Sequence, residues 1–228
     1  LIDERLEAFR REGARFGAVV RAGDLRAPVA ACPGWDLARL GRHLFWIYDN
    51  VHQIVTQNIA FDDTVEAAAP GDVDLADGIE AHHRRLVQVL SSTPPETPVW
   101  TWAGPSECSF WVRRMAAETL VHRIDAEIAV DSVTSVDAHD AADAVDEYLE
   151  WLLPVLRARN TDLGVRFTAE DVGAEWTLTG DATSEPAVVA SGSAADILAT
   201  IFNRPVSRAL RIDGDATVLH RWLAAPAF

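Results

Sequence analysis

The sequence predicts an α+β protein, with a helical N-terminal domain over residues 1–159 and a small α+β domain over residues 160–228. Three observations carry this prediction. Apolar residues recur at helical spacing through the first two-thirds of the chain. After Asn160 the texture changes to short alternating runs of the kind found in strands. Of the 228 residues, 49% are hydrophobic, enough for a buried core and too many for a disordered chain.

The elements follow in order. Residues Asp3–Ala22 read as an amphipathic helix, with Leu6, Phe9, Phe16 and Val20 on its apolar side. Pro28–Gly34 is a loop, and Asp36 is placed to cap a long helix reaching about Ile59. A third helix is expected over Leu75–Leu90, before the breaker run Ser91-Ser-Thr-Pro-Pro. Val99–Glu107 is aromatic and turn-rich. Ser109 is placed to cap a fourth helix running to about Val130, and a fifth is expected over Ala138–Arg159, with Leu149, Leu152 and Leu156 along it and Pro154 as a possible kink. Beyond Asn160, Gly164–Ala169, Glu175–Thr179 and Val188–Ser191 alternate as strands, with Gly180-Asp181 as a turn. Short helices are expected over Ala194–Phe202 and Ala216–Ala224. There is no internal repeat and no low-complexity tract.

Composition excludes several functions. Thirty-five acids against twenty bases give a formal charge of −15, which opposes phosphate backbones and anionic membranes, so neither nucleic acid nor membrane is expected as a partner. All twenty bases are arginine. Without lysine there is no pyridoxal Schiff base, no lysine nucleophile and no P-loop lysine. The longest apolar stretch, around Ile124–Val130, is interrupted by Asp125 and Glu127 and falls short of a membrane span. The first residues, Leu1-Ile-Asp-Glu-Arg, lack the order of a signal peptide. Two cysteines, Cys32 and Cys108, make no disulfide framework, and a reducing cytoplasm is the expected compartment. A monomer or weak homo-oligomer acting on a small molecule is expected.

The chemistry concentrates on two helices. On the fourth, Glu118 and His122 are about 40° apart around the axis and share a strip with Trp111 and Met115, while Arg113, Arg123 and Glu127 fall on the opposite side. An inward carboxylate needs a partner. Either a divalent metal or a Glu–His hydrogen bond within a helix pair would supply one. On the second helix, Leu40, Ile47, Val51 and Ile54 form the apolar stripe with His43 at its edge. A lone inward histidine is ordinarily a core residue. Two imidazoles and one carboxylate, however, are a donor set that leaves an open position on a tetrahedral zinc. Asp125, about 20° from Glu118, reads either as a partner that orients an imidazole or as a surface salt bridge. His52, His82 and His83 read as solvated, and both cysteines as ordinary packing. Gly13–Gly17 lies inside a helix and is no dinucleotide fingerprint; neither Gly-x-Ser-x-Gly nor His-Glu-x-x-His occurs.

Two motifs also carry a resemblance. Cys32-Pro-Gly-Trp-Asp-Leu-Ala-Arg-Leu-Gly-Arg-His43-Leu and Arg114-Met-Ala-Ala-Glu118-Thr-Leu-Val-His122-Arg-Ile-Asp125-Ala-Glu resemble the mycothiol-dependent maleylpyruvate isomerase family. The tail is similar to that family's C-terminal domain at Trp176-Thr-Leu-Thr-Gly, Ser193-Ala-Ala-Asp-Ile-Leu, Asn203-Arg-Pro and Ile212-Asp-Gly-Asp. The resemblance implies a DinB-like four-helix bundle followed by a sterol-carrier-like α/β domain. It also implies zinc held by His43, Glu118 and His122, and mycothiol as thiol cosubstrate. The implied reaction is cis–trans isomerisation by thiolate addition and elimination. Arg204, in the Asn-Arg-Pro segment, is the candidate clamp for an acidic substrate, with Arg208 and Arg211 in reserve; a surface arginine is the alternative. Two rival functions stand beside isomerisation: mycothiol transfer onto electrophiles, and a non-catalytic metal- or ligand-binding regulatory module.

Overall fold

The computed structural model describes residues 1–60, 71–153, 164–178, 185–205 and 208–224. It is a mixed α+β structure in two compact units, Leu1–Thr134 and Ser135–Phe228. No helix among the described residues is long and apolar enough to cross a membrane.

The first unit holds helices α1 (Ile2–Ala22), α2 (Leu37–Gln57), α3 (Leu75–Ser92) and α4 (Cys108–Ala129), with a two-residue-per-strand hairpin, β1 (Pro98–Val99) and β2 (Ser106–Glu107), just before α4. α1 packs on α3 and α4, and α2 on α3 and α4. The core between them is built from Phe9, Phe16, Leu40, Leu44, Tyr48, Ile54, Ile79, Leu86 and Met115, all buried. The Asp36 carboxylate accepts from the Arg39 amide at 2.8 Å and sets the start of α2, as its sequence position predicts. Leu44 and Tyr48 take the core positions, and Ile47 is only half-buried. Ser109 does not cap α4. The helix begins one residue earlier, and its first amides are satisfied by carbonyls of the preceding loop: Cys108 N donates to Thr97 O and Ser109 N to Pro95 O, both at 2.9 Å. The hairpin folds that loop back over the helix end, which removes the need for a side-chain cap.

α4 is buried along both faces over most of its length, and several of its polar residues are buried with it. Arg123, expected away from the Glu118 strip, is fully buried, and its guanidinium donates to Glu12 of α1 (2.8 Å) and to Glu127 one turn on (2.8 Å). Glu127 in turn accepts from the amide and hydroxyl of Thr134, each at 2.8 Å.

His83 is likewise buried and not solvated. Its Nε2–H donates to the Phe9 carbonyl at 3.0 Å, and its ring meets Phe9 edge-on at 4.6 Å. Burial lowers its pKa below the ordinary value, which keeps the ring neutral. Gly13 makes this possible, since a Cβ there would stand 2.2 Å from His83 Nε2. Helix propensity alone favours Gly13→Ala by about 1 kcal/mol. The clash reverses the sign, and we expect a net loss of about 1–3 kcal/mol, read as a fall in the midpoint of thermal unfolding. A raised midpoint would show that the imidazole can move aside.

The second unit begins with α5 (Ala138–Glu147), capped by the Asp137 carboxylate and continued by a π-helical turn at Tyr148–Leu152. Its sheet has the order β4-β3-β5-β6, with β3 (Val165–Ala169) antiparallel to β4 (Ala174–Leu178) and parallel to β5 (Val188–Gly192), and β5 antiparallel to β6 (Arg211–Gly214). Helices α6 (Ala194–Ile201) and α7 (Ala216–Ala224) complete it. Phe167 and Trp222 meet at 5.4 Å in its core. The division between the units lies at 134/135, whereas the sequence placed it at 159/160. α5 groups with the sheet because Tyr148 packs on Phe202 at 5.0 Å and Trp176 donates to Asp146 at 2.6 Å. β6 escaped the sequence reading because it is a short edge strand exposed along its length, without apolar alternation. The expected kink at Pro154, Leu156 and the Gly180-Asp181 turn lie outside the described residues.

Candidate metal centre

Three of the residues singled out in the sequence meet where α2 crosses α4. The cap at Asp36 places His43 two turns into α2. Glu118 and His122 sit one turn apart on α4, and a hydrogen bond between Tyr48 and Thr119 at 2.9 Å ties the two helices together beside them. Both imidazoles converge on one carboxylate oxygen: Glu118 Oε1 is 3.1 Å from His43 Nε2 and 3.2 Å from His122 Nε2. The donor atoms of the three residues all lie within 4.8 Å of one another. His43 keeps 22% of its side chain exposed, so the cluster has a side open to solvent.

The surroundings hold these donors in place. The other Glu118 oxygen accepts from the Arg114 guanidinium one turn earlier. His122 presents its second nitrogen, Nδ1, to Asp125 at 3.0 Å, and that carboxylate is almost wholly buried. The Asp125 carboxylate is thus held inside the protein against an imidazole and is not a surface salt bridge. The Trp35 ring stands edge-on to His43 at 5.2 Å, and Arg39 lies over Trp35 at 4.9 Å.

The electrostatics are tightly coupled. Burial alone would push the Glu118 carboxyl up, but the charges of Arg114 and His122, with hydrogen bonds from both histidines, hold it well below the usual range. Burial also works against a protonated His122, yet Glu118 and the hydrogen bond to Asp125 raise its pKa to about 9. The Arg114 guanidinium and a protonated His122 both place positive charge against the Glu118 carboxylate. Two neutral imidazole nitrogens and one carboxylate oxygen are a donor set suited to zinc and similar divalent ions. A carboxylate behind the second imidazole nitrogen is the usual support for such a ligand. The residues present fit a divalent metal.

Two neighbours of this cluster, both quoted in the motifs, were given no role there from the sequence. Arg114 was legible, because an Arg–Glu pair at i,i+4 on one helix face is a standard ion-pair spacing. Cys32 had no such signal. It lies far from α4 in sequence, yet its sulfur falls within 4.8 Å of donor atoms of both His122 and Asp125. Cys108 behaves as expected for packing: it is fully buried, and burial raises its thiol pKa to about 11.

Arg204, Arg208 and Arg211 belong to the second unit. Arg204 is buried, donates to the Phe202 carbonyl and lies over the Phe202 ring at 5.6 Å. Arg211 pairs with Glu170 at 2.8 Å.

The model of the mycothiol maleylpyruvate isomerase N-terminal domain family matches residues 6–127, just over half of the chain and the segment that contains all three donors. The chain belongs to this family. The match covers the helical unit, so membership rests on that unit, and the tail motifs at Trp176, Ser193, Asn203 and Ile212 lie outside it. Among solved structures, a mycothiol-dependent maleylpyruvate isomerase aligns over 93% of this chain and 93% of its own, with a TM-score of 0.64 and 16% identity. A histidine-to-alanine mutant of a mycothiol-dependent maleylpyruvate isomerase aligns with the same coverage and identity at a TM-score of 0.63. This likeness shows a shared fold across both units. The curated proteins contain no match to the chain.

Proposed function

We propose that this family member is a zinc-dependent, mycothiol-using enzyme that isomerises a small acidic cis-alkene of the maleylpyruvate type by thiol addition and elimination. The observation that carries the reading is the convergence of His43 Nε2 and His122 Nε2 on Glu118 Oε1 with one side open, inside the segment that defines the family. In this reading the first unit is a DinB-like bundle and the second a sterol-carrier-like domain. The protein acts in the cytoplasm as a monomer or weak homo-oligomer.

His43, Glu118 and His122 would hold the ion, which when bound would make a thiol available as its thiolate at neutral pH. The chain's own residues do the rest. Asp125 fixes the tautomer of His122, keeping Nδ1–H on the carboxylate and the Nε2 lone pair towards the donors. Arg114 occupies the second Glu118 oxygen, leaving Oε1 for the site. Trp35 shields His43 from one side. On the second unit, Arg204 is the proposed group for binding a carboxylate, with Arg208 and Arg211 as the other cations of that segment.

Incubation of the metal-loaded protein with mycothiol and maleylpyruvate tests the assignment. The expected result is the trans isomer without net loss of thiol. A stable thioether, formed with a halonitrobenzene in place of maleylpyruvate, would instead make the protein a thiol transferase. Metal-loaded protein that binds mycothiol but turns over neither compound would leave the binding-module reading in its place.

A further inference from the structure

The loop before α2 brings a thiol close to His122 and Asp125. Residues 32–35 form a turn closed by Trp35 N donating to Cys32 O at 2.9 Å, with Gly34 in the left-handed region at φ +80°. Val29 N donates to Trp35 O at 3.0 Å and Cys32 N to Val29 O at 3.0 Å, so the segment carrying Cys32 is pinned on both sides. Cys32 is half-buried on this rigid loop. Its sulfur, a ring nitrogen of His122 and a carboxylate oxygen of Asp125 all lie within 4.8 Å of one another.

We propose that Cys32, His122 and Asp125 form a second cation site, selective for soft divalent ions, that shares His122 with the first. A thiolate, an imidazole and a carboxylate make a donor set for zinc or cadmium, and thiolate sulfur favours the softer ion. Asp125 is 1% exposed, and a carboxylate so deeply buried is stabilised by positive charge beside it. His122 directs Nε2 towards Glu118 and Nδ1 towards Asp125, so an ion taken on the Asp125 side displaces the Nδ1 proton, and with both sites filled the ring bridges the two ions as an imidazolate. An ion bound by Cys32 and Asp125 competes for the carboxylate that orients His122. Occupancy of the second site therefore weakens the first, making this an inhibitory soft-metal site. The donor set stands by itself, whereas its inhibitory role rests on the metal site of the proposed function.

Cadmium titration of the metal-free chain provides the test. The wild type should take two ions per chain and develop ultraviolet thiolate-to-cadmium absorption. Cys32→Ser should take one ion without the absorption, and Cys108→Ser should behave as the wild type. His43→Ala separates the two sites, because it should lose the first ion and keep the absorption. Cadmium should also slow alkylation of Cys32 in the unmutated protein by about tenfold or more at tenfold excess over its dissociation constant. Absorption that is missing in the wild type, that survives Cys32→Ser, or that His43→Ala removes would overturn the proposal. So would alkylation of Cys32 at an unchanged rate.

Discussion

Arg123→Met will cost the helical unit about 3–5 kcal/mol, the largest stability effect expected of a single substitution in the chain. Arg123 is fully buried and is the cation that both Glu12 and Glu127 share, at 2.8 Å each. Methionine fills much of the space but leaves two buried carboxylates. Glu12 retains Arg11 at 2.9 Å and Arg15 at 3.4 Å, and Glu127 retains the amide and hydroxyl of Thr134. Hydrogen exchange of the slowest α4 amides reads the loss, which should appear as an acceleration of about 10²- to 10⁴-fold. Neutralising the carboxylates as well, in a Glu12→Gln, Arg123→Met, Glu127→Gln triple variant, should restore most of the protection. The penalty comes from stranded charge and not from lost attraction. Unchanged exchange in the single variant would show that water reaches these carboxylates and that the network is not dry.

Glu118→Gln will weaken zinc binding by more than about 100-fold, beyond the 10- to 100-fold expected of Asp125→Asn, which touches only the orientation of His122. The amide keeps the shape of Glu118 but loses the charge on which both imidazoles and Arg114 converge. Competition with a chromophoric chelator measures both variants. The same measurement carries a pH dependence whose sign is set by His122. Its pKa in the metal-free protein is raised to about 9, so at neutral pH a proton must leave before the nitrogen can bind an ion. Zinc affinity should therefore fall about tenfold for each pH unit below that value, and level off above it. The Glu118→Gln variant should lose part of this slope, because the carboxylate that raises the His122 pKa is gone. Wild-type affinity in Glu118→Gln would remove this residue from the ligand set.

Much of the site was visible in the sequence because it lies on helices. The spacing from Glu118 to His122 to Asp125 is a statement about one face of one helix, and 3.6 residues per turn converts it into proximity without knowledge of any partner. The Asp36 cap worked in the same way, since it acts over three residues. The errors fell where a neighbour decides the outcome. His83 lies on a helix face that looked solvated, and Arg123 on the side of α4 away from Glu118. They are buried because Glu12, Phe9 and the missing side chain of Gly13 stand opposite them. Ser109 looked like a cap, but the carbonyls of Thr97 and Pro95 had already taken the amides.

By itself, then, the sequence determined the α+β class, the four helices of the first unit and the residues that point along each of them, because these depend on interactions within a few residues of chain. It also determined, through two motifs, the family to which the chain belongs. Only the tertiary structure decided that His43 and His122 reach the same oxygen of Glu118, that α5 groups with the sheet, and that Cys32 lies beside His122. Those facts depend on how the chain closes on itself. Contacts between residues 75 or 90 positions apart carry no periodicity that a one-dimensional pattern can display.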